Sequence, residues 1–434
     1  MRKVITSLIL LMLFIINTAV IIHHDVPDEA YRALASKFDV AVDATEALPH
    51  DIDISTSPNG IVALPNSVHE DWIDEGFVKY TKIVAPNGKA IHFVAQDLLT
   101  DAQIVRSRNI LQFFLTNFPS QYGTDKSAVA NKMAENNATL ALLNGTHIHG
   151  VNDSNVPAQD LFQNEIAVEG HDWYINNNFE HRDAAYEEIL HLLQDTGFGV
   201  DGELDTQPGV LPAYQAEIRA AVDHSLANNL YGIDDPDYIE EISGRNQLTQ
   251  EYLAAVVDTY YGLWAPWTEG DGAIWGIYIA KTREEIESRD PMGYDLMPKY
   301  FSPYINVNMD IDPSFNGIFN MNFNSNQAYT HKSQYLQHCT LTGTNASGLK
   351  GNDIDNELNG NSANNSLEGG KGNDQLDGKN GTDTAIFAGN IVDYTITYGN
   401  DNSVTVTDNV ADRDGVDVLF NMESIQFADE LFSI

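Results

Sequence analysis

The 434 residues exceed what one core commonly holds, which predicts two or three domains, and 43% hydrophobic with 10% aromatic residues excludes a disordered chain. Against 63 Asp and Glu stand 23 Lys and Arg, a formal charge of −40, which excludes nucleic acid as a partner because its binding rests on basic side chains that neutralise phosphate. The single cysteine, Cys339, excludes an intramolecular disulfide, so stability outside a cell has to come from packing or bound cations.

Arg2 and Lys3 precede an apolar run from Val4 to Ile22, the pattern of a secretory signal over residues 1–22. Ala19 is small but Asn17 is not, so cleavage is unsettled and an uncleaved anchor is the other reading. No later run reaches the roughly 18 apolar residues of a membrane span, so no membrane association is expected beyond this segment. Residues 25–337 then read as one α+β domain. Lys79–Ala85 and Ile91–Ala95 flank the turn Pro86-Asn87-Gly88 and predict a hairpin. Thr100 is placed to cap a helix running through Phe114, and Thr139–Leu143 reads as a strand. In Thr146-His147-Ile148-His149 two imidazoles share one strand face, a metal arrangement, although the surrounding Asn and Gly favour a surface loop.

The stretch Asp183-Ala-Ala-Tyr-Glu187-Glu188-Ile-Leu-His191-Leu-Leu-Gln194 holds no Gly or Pro and predicts a helix that Gly197 ends. Glu187 and His191, four apart, face the same way, with Glu188 one position round. This is the spacing of H-E-x-x-H, in which two His bind zinc and the Glu polarises water, with the first His replaced by Glu. A second helix, with Thr249 as N-cap and Gly262 as stop, carries Glu251 in its first turn. Together the two helices resemble the zincin metallopeptidases, loosely the lethal-factor-like branch with its E-[YF]-x-A helix, over about 80 residues. That resemblance implies Glu187, His191 and Glu251 as ligands of Zn²⁺ (or Mn²⁺ or Fe²⁺), Glu188 as general base, and Tyr260 or Tyr261 as donor to an oxyanion. The bland alternative is an ordinary buried helix with a polar edge. Further along, Trp264, Trp267 and Trp275 read as a cleft lining or a core cluster, and Pro291-Met292-Gly293-Tyr294 is similar to the methionine turn beneath some zinc sites.

From Leu349 the sequence turns periodic: Leu349, Leu358, Leu367, Leu376 and Ala385 are spaced by nine, and Asn356, Asn365, Asp374 and Asp383 stand two positions before the last four. Gly369-Gly370-Lys371-Gly372-Asn373-Asp374-Gln375-Leu376-Asp377 matches G-G-x-G-x-D-x-U-x throughout. Glycines permit the positive φ of a tight turn, Asp supplies a hard oxygen suited to calcium, and x-U-x makes a short strand with its Leu inward. Residues 343–386 therefore resemble the hemolysin-type, or RTX, calcium-binding repeat. The resemblance implies a parallel β-helix with Gly370, Gly372, Asp374, Gly381, Asp383 and Asn365 around Ca²⁺, and few ions, since Asn356 and Asn365 lack the carboxylate. Residues 387–434, with Phe387–Tyr398, Ser403–Asp408, Val418–Phe420 and Ile425–Phe427, read as short antiparallel strands forming the β cap that follows such repeats.

The combined expectation is a secreted bacterial calcium-binding protein: a zincin-like α+β domain, then a short parallel β-helix and an antiparallel cap. Its activity would be metal-dependent hydrolysis of a protein or peptide. The rival is a non-catalytic extracellular calcium-binding or surface-associated protein that keeps a degenerate zincin fold.

Overall fold

The computed structural model describes residues 46–148, 152–171, 183–199, 209–265, 267, 270–322 and 335–434. The expected signal segment and His149 lie outside them.

The predicted hairpin forms as β2 (Lys79–Val84) and β3 (Ala90–Ala95), antiparallel with Val84 opposite Ala90. With β1 (Val62–Ala63), β4 (Thr139–Leu143) and β5 (Gln159–Phe162) it builds a five-stranded sheet in the order β1-β2-β3-β4-β5, whose last three strands are mutually parallel. Every residue of β3 and β4 is buried, as expected of strands covered on both faces. The helices are α1 (Glu70–Asp74), α2 (Asp101–Leu115), α3 (Ser127–Glu135), α4 (Ala185–Leu193), α5 (Pro212–Ala227), α6 (Pro236–Gly244), α7 (Leu248–Tyr260), α8 (Arg283–Arg289) and α9 (Pro291–Tyr300). None among the described residues is long and apolar enough to cross a membrane.

Thr100 caps α2 as expected, in a reciprocal capping box with Gln103. Helix α4 packs against β5, α2 and α7, which buries Ile189, Leu190 and Leu193 completely. Its end differs from expectation. Gly197 does not stop it; a wider π turn, Gln194–Phe198, continues to Gly199, whose φ of 88° ends the helix and whose N–H bonds Gln194 O at 2.8 Å. Gly197 is there for packing, since a Cβ on it would come within 2.9 Å of Val129 on α3. Helix α7 starts one residue before the expected cap, and Thr249 inside it accepts from Gln215 Nε2 at 3.0 Å instead. Gly262, at φ 72°, closes that helix as predicted.

The repeats wind as a two-sheet roll. One sheet stacks β6 (Ile305–Ile311), β8 (Leu336–Leu341), β10 (Glu357–Asn359), β12 (Gln375–Asp377) and β16 (Val416–Phe420) in parallel. The other stacks β7 (Ile318–Asn320), β9 (Gly348–Lys350), β11 (Ser366–Glu368), β13 (Thr384–Ile386) and β17 (Ser424–Gln426). Leu349, Leu358, Leu367, Leu376 and Ala385 line the interior at 1% exposure or less. The antiparallel cap was half right. β14 (Tyr394–Tyr398) and β15 (Val404–Asp408) pair antiparallel, as does β18 (Leu431–Ser433) with β17. β16 and β17, however, also continue the parallel stacks, because Leu419 and Ile425 fall in register with Leu376 and Ala385.

Candidate functional site

Glu187 and His191 project from α4 toward the first turn of α7, where Glu251 meets them. One ligand atom from each lies within 4.8 Å of the others. His191 Nε2 is buried, makes no hydrogen bond, and stands 3.9 Å from Glu251 Oε1. That is beyond a hydrogen bond and near the roughly 3.4 Å separating two zinc ligands at tetrahedral angles. One nitrogen and two carboxylates suit Zn²⁺ and also the more oxygen-tolerant Mn²⁺ and Fe²⁺. Burial disfavours a charged imidazole here, yet Glu251, Glu188 and Asp195 outweigh it and raise His191 to about 9.

Glu188 stands on the open side. Its Oε2 accepts from Gln159 Nε2 of β5 at 2.8 Å and lies 3.4 Å from His191 Nδ1. Tyr238 of α6 donates to Glu251 Oε2 at 3.2 Å. These groups, with Asp160 and Glu165, line a cleft of about 360 Å³. The structure does not bring Tyr260 or Tyr261 into it. They close the far end of α7, nine residues or about 13 Å along the axis from Glu251. Tyr261 donates to Ser302 O at 2.6 Å in the core, and the Tyr260 ring lies under the Arg283 guanidinium at 3.8 Å. His147 borders the cleft, exposed and 3.0 Å from Asp153. Trp264 and Trp267 are buried together, and Met292 is exposed at the start of α9.

Sequence reasoning missed Gln159 and Tyr238, and also the group that fixes the start of α4. Arg106 of α2 is buried between Glu169 and Asp183, with Nε and Nη2 donating to Glu169 at 3.1–3.2 Å and Nη2 to Asp183 Oδ2 at 2.6 Å. Burial raises the Asp183 carboxyl above its ordinary range despite Arg106, because one cation serves two carboxylates. No local pattern announces such a cluster; α2 carries both Arg106 and Arg108, and nothing in their spacing tells which is buried.

In the roll, Gly370, Gly372 and Gly381 take left-handed φ values of 95°, 120° and 146°, as turns facing a cation require. Asp374 and Asp383 each use Oδ1 to accept a backbone N–H, from Asn356 at 2.7 Å and Asn365 at 2.6 Å. The Oδ2 of each is buried without a partner, an acceptor that a calcium ion fits. Asn365 differs: its Nδ2 donates to Ser347 O at 2.9 Å while its Oδ1 accepts from Asn361 N at 2.7 Å. Asn356 likewise donates to Gln337 O and Asn352 Oδ1. Burial raises the carboxyls of Asp374 to about 7 and Asp417 to about 8.

Residues 350–385 match the RTX calcium-binding nonapeptide repeat in four copies. The tail carries calcium-binding repeats. No curated protein matches the chain. Among solved structures it is similar to extracellular lipase LipA from Serratia marcescens, at 10% identity and a TM-score of 0.15, over 80% of this chain and 54% of the lipase. The chain thus spans about half the lipase's length, and a likeness of that size carries no argument about fold or activity.

Proposed function

We propose that this is a secreted bacterial calcium-binding protein whose α/β part, zincin-like in its two ligand-bearing helices, is a metal-dependent hydrolase of peptide bonds. The observation that carries the reading is the convergence of Glu187, His191 and Glu251 beside an open cleft. An ion bound there supplies Lewis-acid polarisation of a carbonyl and acidifies water. Glu188 borders the same cleft and takes the proton from the attacking water, with Gln159 fixing its second position. Tyr238, rather than Tyr260 or Tyr261, is the hydroxyl near enough to steady a developing oxyanion. Secretion agrees with calcium-binding repeats and the N-terminal apolar segment.

A second reading, a non-catalytic metal-binding protein, is favoured by one contact: Gln159 already donates to the Glu188 carboxylate, which lowers its basicity toward a water proton. Metal analysis and hydrolysis of an unfolded protein separate the two. Wild type is expected to hold one transition ion and to turn over; His191→Ala loses both, whereas Glu188→Gln keeps the ion and loses turnover. An inactive wild type that still holds the ion selects the second reading. A wild type that takes up neither zinc nor manganese overturns both.

A further inference from the structure

The matched repeats end at residue 385, but the pattern of turn contacts does not. In each row of turns the backbone N–H of one position-six residue donates to the carboxylate of the next: Asn356 N to Asp374 Oδ1 at 2.7 Å, and Asn365 N to Asp383 Oδ1 at 2.6 Å. The same contact appears once more, from Asp374 N to Asp417 Oδ1 at 2.8 Å, across 43 residues. Asp417, the second residue of β16, stands directly before Val418 as Asp374 stands directly before Gln375, and Val418, Leu419 and Phe420 pair with Gln375, Leu376 and Asp377. Asp412-Arg413-Asp414-Gly415, the turn between β15 and β16, together with Val416 and Asp417 at the start of β16, thus takes the place of a repeat turn. Gly415 meets its steric demand: at φ 81°, a Cβ there would stand 1.8 Å from Gly372 O, so the two turns touch backbone to backbone.

We propose that Asp374 and Asp417 together ligate one calcium-like divalent cation between the turns 369–374 and 412–417, a site completed by the cap and lying outside the four matched repeats. Two observations point to a ligand. Asp374 is 2% exposed and its Oδ2 has no partner. The Asp417 carboxyl, 1% exposed, stands against the Asp374 carboxyl, and two buried carboxylates in contact are stable only with a shared proton or a cation between them, of which a divalent cation also serves the unpartnered Oδ2. A surface cleft of about 380 Å³ reaches Asp374, Asn373 and Val416 and gives the ion its route. The other row offers no equal site: Asp383 N meets Glu423 Oε2 at 2.6 Å, but no glycine-bearing six-residue turn separates β16 from β17.

The test is calcium titration of the full chain by calorimetry, with thermal unfolding in chelated and in millimolar calcium buffer. Asp417→Asn keeps an acceptor for Asp374 N and is expected to bind one ion fewer than wild type. Asp374→Asn should lose that same ion, and the double variant no more than Asp374→Asn alone. Asp401→Asn, on the exposed hairpin turn, should bind the wild-type number. Without calcium Asp417→Asn should melt no lower than wild type, since a like-charge contact has gone; with calcium it should melt lower. An unchanged ion count in Asp417→Asn overturns the proposal. So does an equal drop in melting temperature with and without calcium, which would make Asp417 a hydrogen-bond acceptor only.

Discussion

Replacing Arg106 by Met tests what holds α4 in place. The guanidinium is 5% exposed and its two partners, Glu169 and Asp183, are 1% and 4% exposed, so the substitution strands two carboxylates in a medium that cannot solvate them. Removing one partner of a buried ion pair costs about 3–5 kcal/mol. With an unfolding entropy of about 2.1 cal/mol/K per residue, the loss over a unit this long is about 4–6 °C in melting temperature. The sign with pH is fixed too. Stranded carboxylates have folded-state pKa values raised above the unfolded ones, so their penalty is complete above the folded pKa and fades as pH falls through it. Scanning calorimetry at pH 7.5 and pH 5 should therefore show a gap between wild type and Arg106→Met that narrows at the lower pH. Arg106→Lys should fall between, because an ammonium cannot bridge both partners as a fork does. A loss under about 1 kcal/mol, or a gap equal at both pH values, would refute the account of the cluster.

Lys126 is 2% exposed, donates to Phe114 O at 2.9 Å, and is lowered to about 7 by burial. Its folded pKa lies below its unfolded one, so the native state is penalised below about pH 7 and recovers as pH rises toward the unfolded value near 10.4. Denaturant midpoints at pH 7.5 and 9 should show wild type gaining about 2 kcal/mol relative to Lys126→Met; parallel curves would show that the amine is not buried as described. Leu367→Ala, in the stack of the roll at 0% exposure, should cost about 2–5 kcal/mol in calcium, whereas Val392→Ala, 82% exposed, should stay within about 0.5 kcal/mol. Equal costs would mean that the leucine ladder is not a core.

The roll was legible because its logic is local. Glycine, aspartate and leucine recur at fixed offsets, and each turn needs only its neighbour. The parallel placement of β16 escaped the sequence because 43 residues part Asp374 from Asp417 and the intervening hairpin resets the period. In the site, Glu187 and His191 were readable from a spacing of four on one helix, and Glu251 from a capped helix. Tyr238 and Gln159 were not, for they reach Glu251 and Glu188 only through the packing of α6 and β5. The donor expected at Tyr260 or Tyr261 shows the same limit: chain proximity to Glu251 became distance once the helix extended away from the cluster.

The calcium-binding repeats and the Glu187–His191–Glu251 cluster are also joined by a path of contacts. β6 belongs to the roll and packs on α2, where Asn109 Nδ2 donates to Asn308 O at 3.4 Å. The residue after β6, Asp312, donates its N–H to Glu169 O at 2.8 Å, and Glu169 takes the Arg106 guanidinium that also holds Asp183 at the start of α4. If calcium orders the roll, these contacts should also steady Glu169, and through Arg106 the helix bearing Glu187 and His191. A coupling of about 1 kcal/mol, near the low end for linked sites, is about fivefold in amide protection. Hydrogen exchange of the full chain, calcium-free and calcium-loaded, should show residues 189–193 slowed by about that factor. In Arg106→Met the repeats should still respond to calcium while α4 does not. If the repeats gain protection in wild type and α4 exchanges at one rate in both states, the roll and the site are independent, and the chain from Asp312 to Asp183 is structural contact without energetic linkage.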